Sequence, residues 1–448
     1  MVRCTKVFVS RGVDMLPLKR RFIDCCVILL IWSACCCGAE GRNRAEALRR
    51  WDLQELSKTP QVQWLDDQSP IQSLLLEGES FNGKPTNVFA YFSTPARLQR
   101  KPESESDLPG IVLLHGGGGT AFSHWVQMWV DRGYAAIALD LGGKRPKAPE
   151  FDPKTGRIYR HYDFQREDRL RLERGGPLDD HDNKILNVDG ELGNDWQFHA
   201  VSAAIRAHSF LRSLPEVDPE KTAVTGISWG GYLTCMTASV DPRFKAAVPV
   251  YGCGFLYDGE SVQRASIERN TARQLRQWVA YNDPSSLLPY CKVPIFFVNG
   301  TNDKHYPLRS YSRSYSLVPG EKAIRIEVGM QHSHQAGWKP AEIQRFIDHK
   351  LLGKPGLCEI VETAINNRNF SARLAGEVKA KSAKLQFTRD GGALVSRRWL
   401  TVPAAVEGDI VSARVPDGAT IWCLAIVDEL GGMISTDVVF SESAFKKR

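Results

Sequence analysis

The run Val224-Thr225-Gly226-Ile227-Ser228-Trp229-Gly230-Gly231 is the strongest single constraint on how this 448-residue chain can fold. A short aliphatic stretch with strand character, Thr222 to Gly226, leads into it, and a helical pattern from Gly230 to Ser239 leaves it. No loop separates the two. Glycines on either side of the serine permit a sharp strand-to-helix turn that lifts the side chain off the end of a sheet. A bare Gly-x-Ser-x-Gly also arises as a glycine-rich turn with a structural serine. Strand, helix and suitable partners downstream make Ser228 the candidate nucleophile.

The flanking pattern repeats the same alternation. Ile111 to Leu114, Ala135 to Leu139, Thr222 to Gly226, Ala246 to Tyr251, Ile295 to Val298 and Ile324 to Val328 are short apolar runs without strict alternation, as in strands covered on both faces. Between them, helical patterns are predicted over Phe122 to Asp131, Trp196 to Leu214, Gly230 to Ser239, Leu308 to Val318 and Pro340 to Leu352. Strand and helix in turn predict an α/β, doubly wound, mainly parallel sheet, here over residues 71–353. Leu74-Leu75-Leu76 and Val88 to Phe92, around Asn82-Gly83, read as a strand pair ahead of it. Residues 142–195, rich in charge and glycine, interrupt the rhythm and read as a lid-like or disordered insert. Beyond a linker at 354–365, residues 366–448 show short alternating stretches with turns at Asp390-Gly391-Gly392 and Asp417-Gly418, which predicts a small all-β, sandwich-like module. Trp399 and Trp422 read as core of that module rather than a sugar platform.

A serine hydroxyl needs a base within reach and an acid to orient that base. In an elbow of this kind the chain order is serine, acid, histidine. Asp303, after Pro294 to Gly300, fits the acid, with Asp258 as a rival one strand earlier. Histidines beyond the acid are His305, His332, His334 and His349; His305 is too near Asp303 along the chain and His349 lies in a helix. The base is therefore His332 or His334, on the loop after the strand Ile324 to Val328. His115-Gly116-Gly117-Gly118-Gly119 follows a strand, so its backbone N–H groups can approach a developing oxyanion; Gly116, Gly117 and the N–H of Trp229 are the candidate donors. A phosphate loop would end in Lys-Ser/Thr, which is missing. Metal-ligand spacings are absent, His199 and His208 read as packed or surface residues, and no metal or organic cofactor is expected.

The first 39 residues read as an export signal: Lys19-Arg20-Arg21, the apolar run Cys25 to Trp32, and small residues Cys37-Gly38-Ala39 before Glu40, with Met15 as the true start. The apolar run is too short to span a bilayer. Ser33-Ala34-Cys35 is reminiscent of a lipoprotein box, which leaves a lipid anchor open. Without the leader the net charge of +7 falls to about +3, too little to argue for nucleic acid. Residues 40–70 read as a polar lead-in. Six of the eleven cysteines lie in the leader, and the five in the body are no disulfide framework, although Cys358 and Cys423 could pair in an exported protein.

Taken together, His115-Gly116-Gly117-Gly118, Asp195-Trp196, Gly226 to Leu233, Val250 to Phe255 and His332-Ser333-His334 resemble the bacterial acetyl xylan esterase/dienelactone hydrolase-like family of the α/β-hydrolase superfamily, over about residues 71–353. The resemblance implies an exported serine esterase that deacetylates carbohydrate, acting on a small-molecule or polysaccharide ester. In related hydrolases a glycine stands three residues before the histidine, as Gly329 does before His332, which favours His332. The core is also similar to that of prolyl-oligopeptidase-type peptidases, which keeps an exopeptidase or amidase as the alternative. Those enzymes carry a propeller, for which the chain ahead of the glycine run is too short.

Overall fold

The computed structural model describes residues 47–99, 105–188 and 190–445; the leader, with Met15, Cys35 and the signal-peptide reading, lies outside them. Nine strands form one sheet: β1 (Val62–Asp66), β2 (Gln72–Phe81), β3 (Lys84–Ser93), β4 (Leu108–Leu114), β5 (Ala135–Leu139), β6 (Val217–Ile227), β7 (Ala246–Val250), β8 (Ile295–Gly300) and β9 (Lys322–Glu327). Their order is β1-β2-β3-β5-β4-β6-β7-β8-β9. The first three pairings are antiparallel and the rest parallel. Helices Ser123–Val130, Trp196–Ser213, Trp229–Val240, Leu308–Leu317 and Ala341–Leu352 flank the sheet. Covered on both faces, the inner strands have no wet side and so need no polar alternation: every residue of β5 and β7 is buried.

β1 lies within the stretch expected to be only a lead-in. It pairs with β2 in the register Val62↔Leu76 and Gln63↔Leu75. An edge strand whose middle residues are exposed lacks the apolar run that marks its buried neighbours, so its sequence reads as a polar lead. Chain order reverses around β4, which has β5 on one side and β6 on the other. The carboxyl ends of β4 and β6 thus meet at a topological switch point, where open α/β sheets place their ligands.

The described residues of the insert carry regular structure. Lys144–Arg145 pairs with Leu170–Arg171, Glu150–Phe151 pairs with Ile158–Arg160, and a short helix spans His181–Ile185. Its Asp163 is buried and accepts bonds from the Ser123 N–H (3.2 Å), the Ser123 hydroxyl (2.9 Å) and the His124 N–H (3.0 Å). These bonds cap the helix Ser123–Val130, whose own first residues supply no side-chain cap.

The C-terminal module is all-β, its eight strands linked edge to edge by antiparallel pairing. Along it run Glu359–Asn366, Asn369–Ala375, Ile410–Arg414, Leu400–Glu407, Ala380–Thr388, Ile421–Asp428 and Met433–Ser435, with Val439–Phe440 also on Ile421–Asp428. Its first strand occupies much of the expected linker and is almost wholly exposed. Phe370, Leu385, Phe387, Val411, Trp422, Leu424 and Ile426 fill its core, whereas Leu394, Ile421, Cys423 and Val438 join the core of the catalytic sheet. Module and catalytic body are therefore welded by a continuous apolar interior. Cys358 and Cys423 are both free and buried; their thiols face the carbonyl of Val378 and the side chain of Gln386.

Two buried histidines give the fold a pH dependence. His208 sits between Asp241 and Thr222, 2.8 Å from each, with its ring on Phe244. Burial pushes its pKa down from 6.5 to about 4, and burial does the same to His199. Between those two values the unfolded chain holds a proton that the folded chain refuses. Stability is then fully present above about pH 6.5 and falls as pH drops toward 4, by on the order of 3 kcal/mol for His208 alone. Calorimetry from about pH 8 down to about pH 4.5 should show a steady melting temperature that declines below about pH 6.5. A flat profile would contradict this account.

Candidate active site

Ser228 is held in a conformation that few side chains adopt, with φ 59° and ψ −116°. Its N–H donates to the Val250 carbonyl at 2.8 Å, and its own carbonyl receives the Tyr232 N–H at 2.9 Å, so the elbow is fixed by β7 on one side and by its own helix on the other. The sharpness of the turn demands glycine at Gly230, where a Cβ would collide with the Leu114 carbonyl oxygen. A strained residue over-determined by its surroundings is typical of a functional position.

The side chains nominated across 104 residues of chain converge. His332 Nε2 lies 2.9 Å from Ser228 Oγ, and His332 Nδ1 lies 2.6 Å from Asp303 Oδ2. Asp303 is buried, and its other oxygen accepts the N–H groups of His305 (2.7 Å) and Tyr306 (2.9 Å). With Asp303 holding the Nδ1 proton, the Nε2 lone pair faces the serine, as a general base requires. The histidine loop is anchored from outside: the Tyr251 hydroxyl donates to the Gln331 carbonyl at 2.6 Å, while the Tyr251 ring packs 4.6 Å from the imidazole. Asp258, the rival acid, is instead paired with Arg313 at the surface.

His334 occupies a different place. Its Nε2 accepts the Gly116 N–H at 3.0 Å, and its ring lies among Phe122, Phe164 and Trp338. Burial, aided by the positive fields of His115, His332, Arg169 and Arg166, drives its pKa down to about 3. A neutral imidazole whose lone pair is already spent on a backbone N–H is poorly suited to take a serine proton. The same bond separates the three candidate oxyanion donors. The Gly116 N–H is committed to His334, whereas the N–H groups of Gly117 and Trp229 have no partner among the described residues. Trp229 opens its helix, so its N–H is one of the four that no helix can satisfy internally, and the helix dipole adds to its pull on an anion. Gly117 faces the Trp229 indole closely enough that a Cβ would lie 2.8 Å from the ring. Two free donors, one from each side of the switch point, thus flank Ser228.

Several groups here have no sequence signature. Arg169 of the insert donates to the Gly118 carbonyl and to that of Asp163, both at 2.9 Å, Asp179 accepts the Gly118 N–H at 3.0 Å, and Arg166 packs on Gly118. The insert therefore braces the oxyanion loop. Asn302, next to the acid, donates to the carbonyls of Val395 (3.0 Å) and Arg397 (2.8 Å) in the C-terminal module. Loop residues that recognise a loop in another module follow no periodic pattern. Asn302→Ala is expected to lower kcat about three- to tenfold with KM unchanged, because losing these bonds loosens the aspartate rather than removing it; steady-state kinetics on an ester would measure it. Among the described residues no group of three or more His, Cys, Asp or Glu side chains could hold a metal ion, and no helix is long and apolar enough to cross a membrane.

The chain is similar to several known proteins. Acetyl esterase Axe7A of Xylanibacter ruminicola is 27% identical over 241 residues, which make up 52% of this chain and 51% of that one. The uncharacterized peptidase YuxL of Bacillus subtilis is 27% identical over 165 residues, 36% of this chain and 19% of its own. The chain thus spans about half the length of the first of these curated relatives and less of the second. Among solved structures, an acetyl xylan esterase from Paenibacillus sp. R4 aligns with a TM-score of 0.50 at 20% identity, covering 68% of this chain and 94% of that one. The likeness is one of fold, that of the α/β-hydrolases. Residues 95–315 match the Dienelactone hydrolase family, a span that includes the glycine loop, Ser228 and Asp303 and stops short of His332. The matched segment, residues 95–315, is a dienelactone hydrolase family domain.

Proposed function

We propose that the protein is an exported serine carboxylesterase that removes acetyl groups from carbohydrate through an acyl-enzyme. The observation that carries the reading is the continuous chain Ser228 Oγ, His332, Asp303, at 2.9 and 2.6 Å, beside two unengaged N–H donors. His332 takes the proton as Ser228 Oγ attacks the ester carbonyl; the N–H groups of Gly117 and Trp229 hold the resulting oxyanion. Collapse expels the sugar hydroxyl, which receives the proton from His332. Water, deprotonated by the same histidine, then attacks the acyl-enzyme and releases acetate with Ser228 restored. The acetyl and carbohydrate parts of the reading are supported by the name of the curated acetyl esterase and by the family resemblance, and export by the composition of the leader.

The test is release of acetate from acetylated xylan by the purified protein, alongside hydrolysis of aminoacyl anilides. Faster turnover of the anilides would replace this reading with the exopeptidase alternative. N-terminal sequencing of protein recovered outside the cell checks export, with cleavage expected after Ala39.

A further inference from the structure

The buried tyrosines near the sheet divide into two kinds. Tyr251 donates to the Gln331 carbonyl, Tyr311 lies 2.8 Å from the carbonyl of Val298 and 3.0 Å from that of Pro249, Tyr232 reaches the carbonyl of Asn282, and Tyr134 reaches Asp348. Tyr306 is equally buried, 0% exposed, yet its hydroxyl reaches no carbonyl or carboxylate and makes no well-formed hydrogen bond; the one side chain it addresses is that of Ser228. A buried phenol that only fills space leaves a polar atom unpaired at a cost that phenylalanine would avoid. Packing alone gives no reason for the oxygen.

Its position gives one. The Tyr306 N–H is bonded to Asp303 Oδ1 at 2.9 Å, its carbonyl receives Asn299 Nδ2 at 2.8 Å, and its ring lies parallel to His332 at 6.1 Å. The backbone is fixed and the ring cannot swing away. Ser228 pairs with its hydroxyl, and the thiols of Cys253 and Cys235 and the Asp303 carboxylate lie within electrostatic reach of it. Three of these are engaged elsewhere. Asp303 serves His332, His305 and the Tyr306 backbone, the Cys235 thiol faces the Gly252 carbonyl, and the Cys253 thiol faces Ser314. Ser228 Oγ donates its one proton to His332 and keeps two acceptor positions. One is needed for attack on the substrate; the other is unclaimed.

Resting on the serine hydrolase reading above, we infer that Tyr306 is a further catalytic residue, whose hydroxyl donates a hydrogen bond to Ser228 Oγ as negative charge develops there. That charge appears twice: when His332 removes the serine proton, and when Ser228 Oγ leaves from the second tetrahedral intermediate. The phenol keeps its proton throughout, so no bond to hydrogen is exchanged; desolvation holds its ionisation well above the ordinary tyrosine value. The bond also fixes the serine rotamer, leaving the remaining lone pair aimed at the substrate.

The test is Tyr306→Phe, assayed with p-nitrophenyl acetate and with a fluorophosphonate that labels nucleophilic serine, alongside wild type and Ser228→Ala. The expected result is a fall of about tenfold in kcat and in the labelling rate of Ser228, with KM within about twofold and a melting temperature unchanged or raised. Loss of activity with no loss of stability separates a role at the nucleophile from a structural one. Unchanged kcat and labelling would overturn the inference. So would a melting temperature lower by more than about 5 °C, which would mark the hydroxyl as a packing element. A wild type that neither hydrolyses the ester nor labels at Ser228 sinks the hydrolase reading itself, and the inference with it.

Discussion

Ser228→Ala is expected to lower kcat for p-nitrophenyl acetate by about a thousandfold or more while leaving KM close to that of the wild type. On the proposed mechanism the loss is large because Oγ forms the covalent bond, and no neighbour can replace it. Cys235 and Cys253 lie close by, but burial raises both thiols well above the ordinary cysteine value, so they remain protonated and inert. Activity left over would come from the Gly117 and Trp229 donors and from substrate binding alone. A fall of less than about a hundredfold would mean that another group attacks the ester. The elbow adds a stability signature. Ser228→Gly should be as inactive as Ser228→Ala but more stable by about 1 kcal/mol, because a residue without Cβ adopts φ 59° at no steric cost. Equal melting temperatures for the two variants would show that the elbow stores little strain.

The strands and helices of the catalytic core were legible because burial on both faces writes continuous apolar runs, and because the elbow places strand, nucleophile and helix in one short segment. Ser228 and Asp303 were readable for the same reason: each follows a strand end, where chain order constrains what can stand. The features that escaped are those in which one loop recognises another. Val62–Asp66 escaped as an exposed edge strand. Asn302 on the Val395 and Arg397 carbonyls, Arg169 on the glycine loop and Tyr306 under the serine are single polar groups on irregular backbone. Their partners lie as far as 95 residues away, and no periodicity announces them. The bond from the Gly116 N–H to a histidine 218 residues downstream is of the same kind and has no sequence signal.

The same pairing of distant groups makes the two histidines of the loop separable by experiment. His332→Ala is expected to cost kcat about a thousandfold or more, since the base, the later acid and the partner of Asp303 vanish together. His334→Ala removes something different. It frees the Gly116 N–H from its 3.0 Å bond and opens space among Phe122, Phe164 and Trp338, so the glycine loop loses the clamp that presents the Gly117 N–H to the oxyanion. A misplaced donor is worth up to about a hundredfold, and the effect falls on kcat because the oxyanion exists only in the transition state. The pH profiles then differ in kind. With its pKa near 3, His334 stays neutral through the working range, so its removal leaves the acid limb of kcat/KM where it was. Removing His332 abolishes the turnover itself. His334→Asn, whose side-chain oxygen can accept from the Gly116 N–H, should recover part of the loss, whereas His332→Asn should recover none, since an amide cannot accept the serine proton. The reverse pattern, with His334→Ala dead and His332→Ala active, would require the loop to exchange the two rings during turnover, against the 2.6 Å bond to Asp303 and the Tyr251 anchor that hold His332 in place.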